Sequence, residues 1–533
     1  MLFSKQPISL KSTTLFSSLF EDYLEQSENV KPFYSNHINR NDFASYLENH
    51  SFSSVNRSVL VKTLQDQANL TENTHVSALH NITLLKKETT YSVTTGHQLC
   101  LFTGPLYFIY KIISTINLCE TLKANFPDKD FIPVYWMASE DHDFEEINHV
   151  HVFGKKVSWE STQKGSVGEF NTEGLTQLIA ELKTILGESE NANSLIQLFE
   201  KAYTAHSNLA DATRYLVNEL FGQYGLVILD GNDAALKELF KEEFKKDIFE
   251  NTSAQLVNKT INVLKKNYPA QVTPRDINVF YKDNKIRERI EKQGDRYVVL
   301  NTEISFSKEE LVNITEHSPE KLSPNVVLRP LYQQKILPNI AYVGGPGELA
   351  YWLEFKTMFE SFDISFPILM PRNFVMFLDK SVQNKLQKIN LIFEDVFRDG
   401  EELVKQLIKT QHNDINLEDA KKQLAKIYSE VAGKVIEIDK TLGGSAEAEK
   451  QKAINGLAAI EQKINKALKQ KSETDVNQIW AIKEKLFPRN IPQERYDNFS
   501  MYYSKYGKEF IAGLKSELTY DLEKFEYLIL KEN

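Results

Sequence analysis

Hydrophobic and polar positions divide the chain into stretches of different character. Residues 1–90 are mixed: Leu60, Leu64 and Leu70 recur at helical spacing, and Phe43 with Tyr46 marks a second helix. Residues 91–95 read as a strand, broken by Gly96-His97-Gln98. Leu106, Tyr107, Tyr110, Ile113, Ile116 and Leu118 then form an apolar helical pattern. The run from Ile132 to Ala138 has the length and continuity of a strand buried on both faces. Strand, tight loop, helix and strand make a βαβ unit, right-handed by default. Residues 151–185 suggest a β-rich insertion followed by a helix. Gly225 to Asp230 reads as another buried strand ending on an acid, and 236–265 as charged helix. Alternation at Val279, Tyr281, Val298 and Leu300 predicts an antiparallel excursion over 278–306. The core resumes at Ile340-Ala-Tyr-Val-Gly-Gly-Pro-Gly-Glu348, a strand entering a glycine turn and a helix from about Leu349. Phe366 to Arg372 is a further strand.

From about residue 378 the pattern changes to long charged helices. Leu417, Ala420, Leu424, Ile427, Val431, Val435, Ile438 and Leu442 follow in steps of three and four. Gly443-Gly444-Ser445 marks a turn, and Leu457, Ile460, Ile464 and Ala467 continue the spacing beyond it. This predicts an antiparallel coiled-coil hairpin, with a plain helical bundle as the alternative. The tail is rich in aromatics (Tyr496, Phe499, Tyr502, Tyr503, Phe510) and is expected to pack back on the core. The expected organisation is an α/β core over 1–377 with inserted segments at about 151–215 and 235–330, a helical coiled-coil arm over 378–486, and a returning segment over 487–533.

Composition narrows the functional classes. A net charge of −10 over 533 residues argues against nucleic acid as a partner, since phosphate contacts need a basic surface. The two cysteines exclude a disulfide scaffold and a Cys-rich zinc module. Cys100 and Cys119 are expected on one helical segment, as buried small hydrophobes. No apolar leader precedes Leu15 and no apolar window of membrane-spanning length occurs, so a cytoplasmic protein without membrane contact is expected.

Four constellations can carry chemistry. Thr95-Gly-His-Gln98, with Thr103-Gly-Pro105 and Lys111, places glycines and an imidazole after a strand, where backbone approaches an anion; a plain strand-to-helix turn is the alternative. Glu140, Asp141, His142, Asp143, Glu145 and Glu146, followed by His149, form a knot of acids and imidazoles at a strand end, the place where α/β proteins bind ligands. On a helix, His142 with Glu146 and Glu145 with His149 share faces and suit a divalent metal. The same acids suit Mg²⁺ beside a nucleotide or a general base, or simply a solvated helix start. Gly344, Gly345 and Gly347 before Glu348 suit a backbone cradle, or merely a sharp loop. Arg329 and Arg372, each beside a proline and expected near strand ends, suit carboxylate or phosphate, or surface ion pairs.

Taken together, Thr95-Gly-His-Gln98 with Thr103-Gly-Pro-Leu-Tyr-Phe-Ile-Tyr-Lys111, Pro133 to His149 and Ala341 to Trp352 resemble the bacillithiol biosynthesis cysteine-adding family, BshC. Phe221 to Asp230, Leu328-Arg-Pro330, Phe487-Pro488 and Gln493-Glu-Arg495 extend the resemblance in order along essentially the whole chain. It implies a Rossmann-like core resembling class I aminoacyl-tRNA synthetases and nucleotidylyltransferases, with connecting insertions and a coiled-coil arm that makes a homodimer. The implied activity is a ligase joining L-cysteine, through its carboxyl group, to the amine of glucosaminyl-malate in the last step of bacillithiol synthesis. ATP, with Mg²⁺, is the expected source of activation, through cysteinyl-adenylate or a cysteinyl phosphate. No tightly bound metal is expected.

Under that resemblance, Gly96, His97, Gln98 and Gly104 are expected at the phosphate end and Gly344, Gly345, Gly347 and Glu348 on the opposite wall. Asp141, His142 and Asp143 position cysteine or Mg²⁺, Glu140 deprotonates the sugar amine, and Arg329 or Arg372 pairs with the malate carboxylates. The family pattern admits glutamine as well as histidine at position 97, which shifts weight to Gln98 and the backbone. A metal-dependent hydrolase, a non-catalytic pathway scaffold and a nucleotidylyltransferase are the rival classes.

Overall fold

The computed structural model of the chain describes residues 2–412, 417–522 and 524–533. Residues 1–377 with 492–533 make one compact unit, and 378–491 another.

The first unit is organised by five parallel strands: β1 (Thr90–His97), β2 (Asp130–Met137), β3 (Val227–Asp230), β4 (Asn339–Gly344) and β5 (Ile368–Pro371). Their order across the sheet is β5-β4-β1-β2-β3. Nearly every residue of these strands is buried, as their unbroken apolar character requires when helices cover both faces. The helix α1 (Tyr107–Asn125) links β1 to β2. The chain runs outward from β1 through β2 to β3, then returns to the other side of β1 for β4 and β5. Connections therefore leave β1 and β4 in opposite directions, and a crevice opens at their carboxyl ends. In the register, Gly96 lies opposite Trp136 and His97 opposite Met137. β4 leads directly into a short helix, α2 (Pro346–Trp352).

The first insertion departs from the sequence expectation in detail, and the second follows it. Between β2 and β3 only one short hairpin forms, His149–Val152 with Lys155–Ser158, and helices Leu175–Leu186, Glu190–Thr204 and Leu209–Phe221 fill the rest. Between β3 and β4, helices Lys241–Glu250 and Thr252–Leu264 precede an antiparallel sheet containing Val279–Asp283, Ile286–Gln293, Arg296–Val299 and Leu322–Pro324. Its first hairpin turns at Asn284-Lys285, both at positive φ, the turn that matches strand twist. An unforeseen strand, Phe3–Ser9, pairs antiparallel with Glu526–Glu532. The tail aromatics Phe499, Tyr503 and Phe510 are buried in the core of this unit.

In the second unit, helices α3 (Glu418–Ile438) and α4 (Gly443–Lys471) pack together. Lys421 of α3 bridges to Glu461 of α4 at 2.7 Å. The reversal is not made by Gly443-Gly444, which begin α4 with helical backbone at Gly443 (φ −58°). It is made at Asp439, whose carboxylate accepts from the Thr441 backbone N–H and hydroxyl, both at 2.8 Å. A capping side chain thus replaces the glycine turn the pattern suggested. Among the described residues no helix is long and apolar enough to cross a membrane.

Candidate active site

The crevice at the ends of β1, β2 and β4 deepens into a cavity of about 700 Å³, a size suited to one small-molecule ligand pair. Its floor is a charged lock between β1 and β4. Lys111, on the buried face of α1 and 1% exposed, donates to the Gly96 carbonyl and to both oxygens of Glu348, at 2.9 and 2.8 Å. Glu348 also accepts from Tyr342 Oη (2.8 Å) and from the Gly345 backbone N–H (2.9 Å), where it caps α2. Burial drives the Lys111 ammonium below the usual lysine range, and the Glu348 carboxylate opposes it. Gly96 sits close under this lock: a Cβ would lie 3.3 Å from Tyr342 Oη, a tight contact, and 3.6 Å from Arg329 Nη1.

The acid knot follows β2. Asp141 closes a turn by accepting from the backbone N–H groups of His142 (2.7 Å) and Asp143 (3.3 Å), and Gln98 Nε2 donates to its other oxygen at 2.8 Å. Gln98 also donates to Glu146 at 2.6 Å. Burial pushes the Asp141 carboxyl up, but the Gln98 amide, the Arg287 charge and the two N–H groups outweigh it and hold it below the usual carboxylate range. Glu140 Oε1 accepts from Lys237 Nζ at 2.7 Å, and Lys237, wholly buried, also donates to the Leu322 carbonyl. His142 Nδ1 accepts from Arg287, whose guanidinium is otherwise fixed by Ser323 Oγ (3.0 Å) and lies 4.1 Å from the Phe280 ring centre. Burial, then the Arg287 charge, lowers the His142 pKa, so the ring is neutral at pH 7. With Nδ1 accepting, its proton resides on Nε2.

Several expectations need correction. Only Phe144–Ile147 is helical after the knot, and His149 already belongs to a strand, so the His142/Glu146 and Glu145/His149 pairs share no helix face. Among the described residues no three His, Cys, Asp or Glu side chains are grouped as metal ligands require. Asp143 is exposed and does not line the cavity. Gly104 and Gly344 do not line it either. Gly104 (φ +70°) instead serves a tight turn in which a Cβ would meet Cys100 Cβ at 2.5 Å, and its carbonyl accepts from Asn498 Nδ2. Arg372 is committed to a bidentate pair with Glu494 at 2.8 and 2.6 Å, both side chains buried, and so lacks a free fork for a substrate. Arg329 lies in the helix Leu328–Ile336, not at a strand end, and it bonds Gln333 at 2.9 Å. Cys100 is not helical with Cys119: it precedes a short turn, 3.7 Å from His97 Nε2. Both thiols are buried, and burial pushes Cys100 up to about 12. His97, driven down to about 3 by burial and the Lys111 charge, is a neutral imidazole.

Gly96, His97, Gln98, Glu140, Asp141, His142, Gly345, Gly347, Glu348, Arg329 and Arg372 all reach the cavity wall. Sequence reasoning passed over Lys237, Arg275, Arg287, Arg289, Tyr342 and Arg495. The alternation Arg287-Glu-Arg289 on a predicted strand puts two guanidiniums on one face, a signal that was available. Nothing local links Lys237 to Glu140.

A parallel α/β sheet ordered 3-2-1-4-5, with a charged cavity at its switch point, defines a Rossmann-like protein built to bind small polar ligands. Residues 3–373 match the family described as "Bacillithiol biosynthesis BshC, N-terminal Rossmann-like domain", and 375–531 match "Bacillithiol biosynthesis BshC, C-terminal coiled-coil domain". The chain belongs to the BshC family. Relatives named "Putative cysteine ligase BshC" include one from Flavobacterium psychrophilum, 42% identical over 518 residues (96% of this chain, 97% of the relative). One from Flavobacterium johnsoniae is 42% identical over 514 residues (96% and 97%), and one from Bacillus cytotoxicus 30% identical over 457 residues (83% and 85%). Among solved structures, a tryptophanyl-tRNA synthetase from Plasmodium falciparum is 11% identical, with a TM-score of 0.20 over 86% of this chain and 100% of its own. A similarity that low carries no argument.

Proposed function

We propose that this protein is an ATP-dependent ligase joining the carboxyl group of L-cysteine to the amine of glucosaminyl-malate, the last step of bacillithiol synthesis. The observation that carries the reading is one cavity lined by both carboxylates (Glu140, Asp141, Glu146, Glu348) and guanidiniums (Arg275, Arg289, Arg329, Arg495). A zwitterionic amino acid, an amine and polyanions each find a complement there. The family membership and the relatives' name support the substrate class.

Asp141, held ionised, suits the cysteine ammonium. His142, a donor through Nε2, suits an oxygen that gains negative charge as the carbonyl is attacked. Glu140 has one oxygen tied to Lys237 and no hydrogen bond at the other among the described residues, which suits it to accept the proton of the attacking amine. Gly345 and Gly347 fit a nucleotide: a Cβ at Gly347 would meet nothing within 4 Å, so the backbone is open to a ligand, and Arg329 and Arg495 line the same cavity. ATP supplies the leaving group on the cysteine carboxyl. Glu146, held beside Asp141 by Gln98, is the carboxylate available to Mg²⁺ arriving with it.

The reading extends to a cytoplasmic homodimer formed through the arm, on which Ile427, Val431, Ile438 and Ile460 are exposed. Incubation of the purified protein with cysteine, glucosaminyl-malate and Mg-ATP should give the condensed thiol by mass spectrometry, with AMP or ADP identifying the activation. Absence of product from folded protein with all three substrates would overturn the ligase reading.

A further inference from the structure

The guanidiniums around the cavity fall into two kinds. Arg287, Arg329 and Arg372 are engaged by protein groups. Arg275, Arg289 and Arg495 are exposed, line the cavity, and make no side-chain hydrogen bond or ion pair among the described residues; Arg495, on the returning tail, is set beside the nucleotide above, which leaves Arg275 and Arg289 on the insertion. An arginine left unpartnered on a cavity wall is where an anionic ligand group gains most, because no protein bond has to be given up.

Both are held by built scaffolding. Arg289 lies two residues from Arg287 on the strand Ile286–Gln293, so the two share a face, and the anchored Arg287 fixes how that face meets the cavity. Arg275 lies on a connection without secondary structure, yet two wholly buried carboxylates fasten that connection at both ends. Glu354 accepts from the backbone N–H groups of Gln271 (2.7 Å) and Val272 (3.1 Å). Asp247 accepts from the backbone N–H of Asn278 (2.6 Å) and from its amide (3.3 Å), and Asn278 in turn bonds the backbone N–H and carbonyl of Arg275 at 3.1 and 2.8 Å. Burying two carboxylates to fix the loop from Gln271 to Asn278 is costly unless the loop must present something accurately.

We propose that Arg275 and Arg289 form a clamp for a dianion, and that in the ligase reading, on which this assignment of the ligand rests, the dianion is the dicarboxylate arm of the acceptor sugar. Asp247 and Glu354 are positioning residues for the clamp. The insertion between β3 and β4 would thereby read the acceptor, while the ends of β1, β2 and β4 perform the chemistry.

The test is calorimetric binding to the full-length protein without cysteine or ATP, using glucosaminyl-malate and methyl glucosaminide, which has the amine but no carboxylate. Wild type should prefer the malate-bearing sugar by about fivefold to thirtyfold, the range expected for two solvent-exposed charge pairs. Arg275→Ala and Arg289→Ala should each erase most of that preference, leave methyl glucosaminide binding unchanged and leave Mg-ATP binding unchanged. Both side chains are exposed and unbonded, so the variants should keep the wild-type circular dichroism and unfolding midpoint. Glu354→Gln should raise the acceptor KM with kcat retained, the split expected of positioning. A preference that survives both arginine substitutions, or a loss that falls on Mg-ATP instead, would overturn the assignment. Because binding is read without turnover, protein that binds the acceptor through these arginines yet makes no amide would sink the ligase reading and leave the clamp standing.

Discussion

Arg372, one of the two arginines the sequence offers to a substrate carboxylate, is bonded to Glu494 instead. Arg372→Met removes a guanidinium 3% exposed at its side chain and leaves a carboxylate 5% exposed, with only the Val375 backbone N–H, at 3.2 Å, still donating to it among the described residues. Neither charge is screened by solvent, so the break should cost about 3–5 kcal/mol, the usual penalty for stranding one member of a buried pair. With a urea slope of about 3 kcal/mol/M or more for a unit this large, the midpoint should fall by about 1 M. Three of the four tryptophans, Trp136, Trp159 and Trp352, lie in the unit that holds the pair, so tryptophan fluorescence follows it. The double variant Arg372→Met/Glu494→Leu removes both charges and should recover most of the loss. It should stop short by about 1 kcal/mol, because the Val375 N–H then lacks its acceptor. The acceptor KM of the double variant should match wild type. A single variant within about 1 kcal/mol of wild type, with an acceptor KM raised tenfold and unrescued in the double, would refute the structural role and return Arg372 to the substrate.

Three further outcomes follow from the site. Asp141→Asn and His142→Ala should each lower kcat/KM by about a hundredfold or more with unfolding midpoints nearly unchanged, since both side chains lie at the cavity surface; wild-type turnover in both would exclude the knot from the chemistry. His97→Gln should keep kcat/KM within a few-fold across pH 6–8, because an imidazole driven down to about 3 carries no proton to lose in that range. Asp247, raised to about 6 by burial against an unfolded value near 3.9, contributes stability that is present below about pH 4 and lost as pH rises through 6. Wild type should therefore lose on the order of 2–3 kcal/mol relative to Asp247→Asn between pH 4 and 7, measured as the difference of their urea midpoints.

The elements that sequence reasoning located were those whose burial is imposed on both faces. β2 and β4 must be apolar throughout, and an unbroken apolar run of strand length admits little else. The strand Phe3–Ser9 went unseen because it buries chiefly Phe3 and Ile8 and carries a proline, and its partner lies more than five hundred residues away. The two arm helices were legible from their three-and-four spacing, whereas their reversal was not. A glycine pair is a permissive signal, and Asp439 provides a definite bond that decides where the chain turns.

The site shows the same division more sharply. Residue type and position beyond a strand end are local properties, and they brought Glu140, Asp141 and His142 to the cavity. What each group can do there is set by a partner distant in sequence. Lys237 occupies one oxygen of Glu140 from 97 residues away, Arg287 occupies Nδ1 of His142 from 145 residues away, and Glu494 consumes Arg372 from 122 residues away. Those pairings convert a list of ionisable residues into distinct roles: an acceptor with one free oxygen, a donor fixed in one tautomer, and a structural cation. The decisive information is therefore in the pairings that the insertion and the returning tail impose on the sheet ends, and the guanidiniums left without a partner among the described residues after that accounting, Arg275, Arg289 and Arg495, are the ones free to meet a ligand.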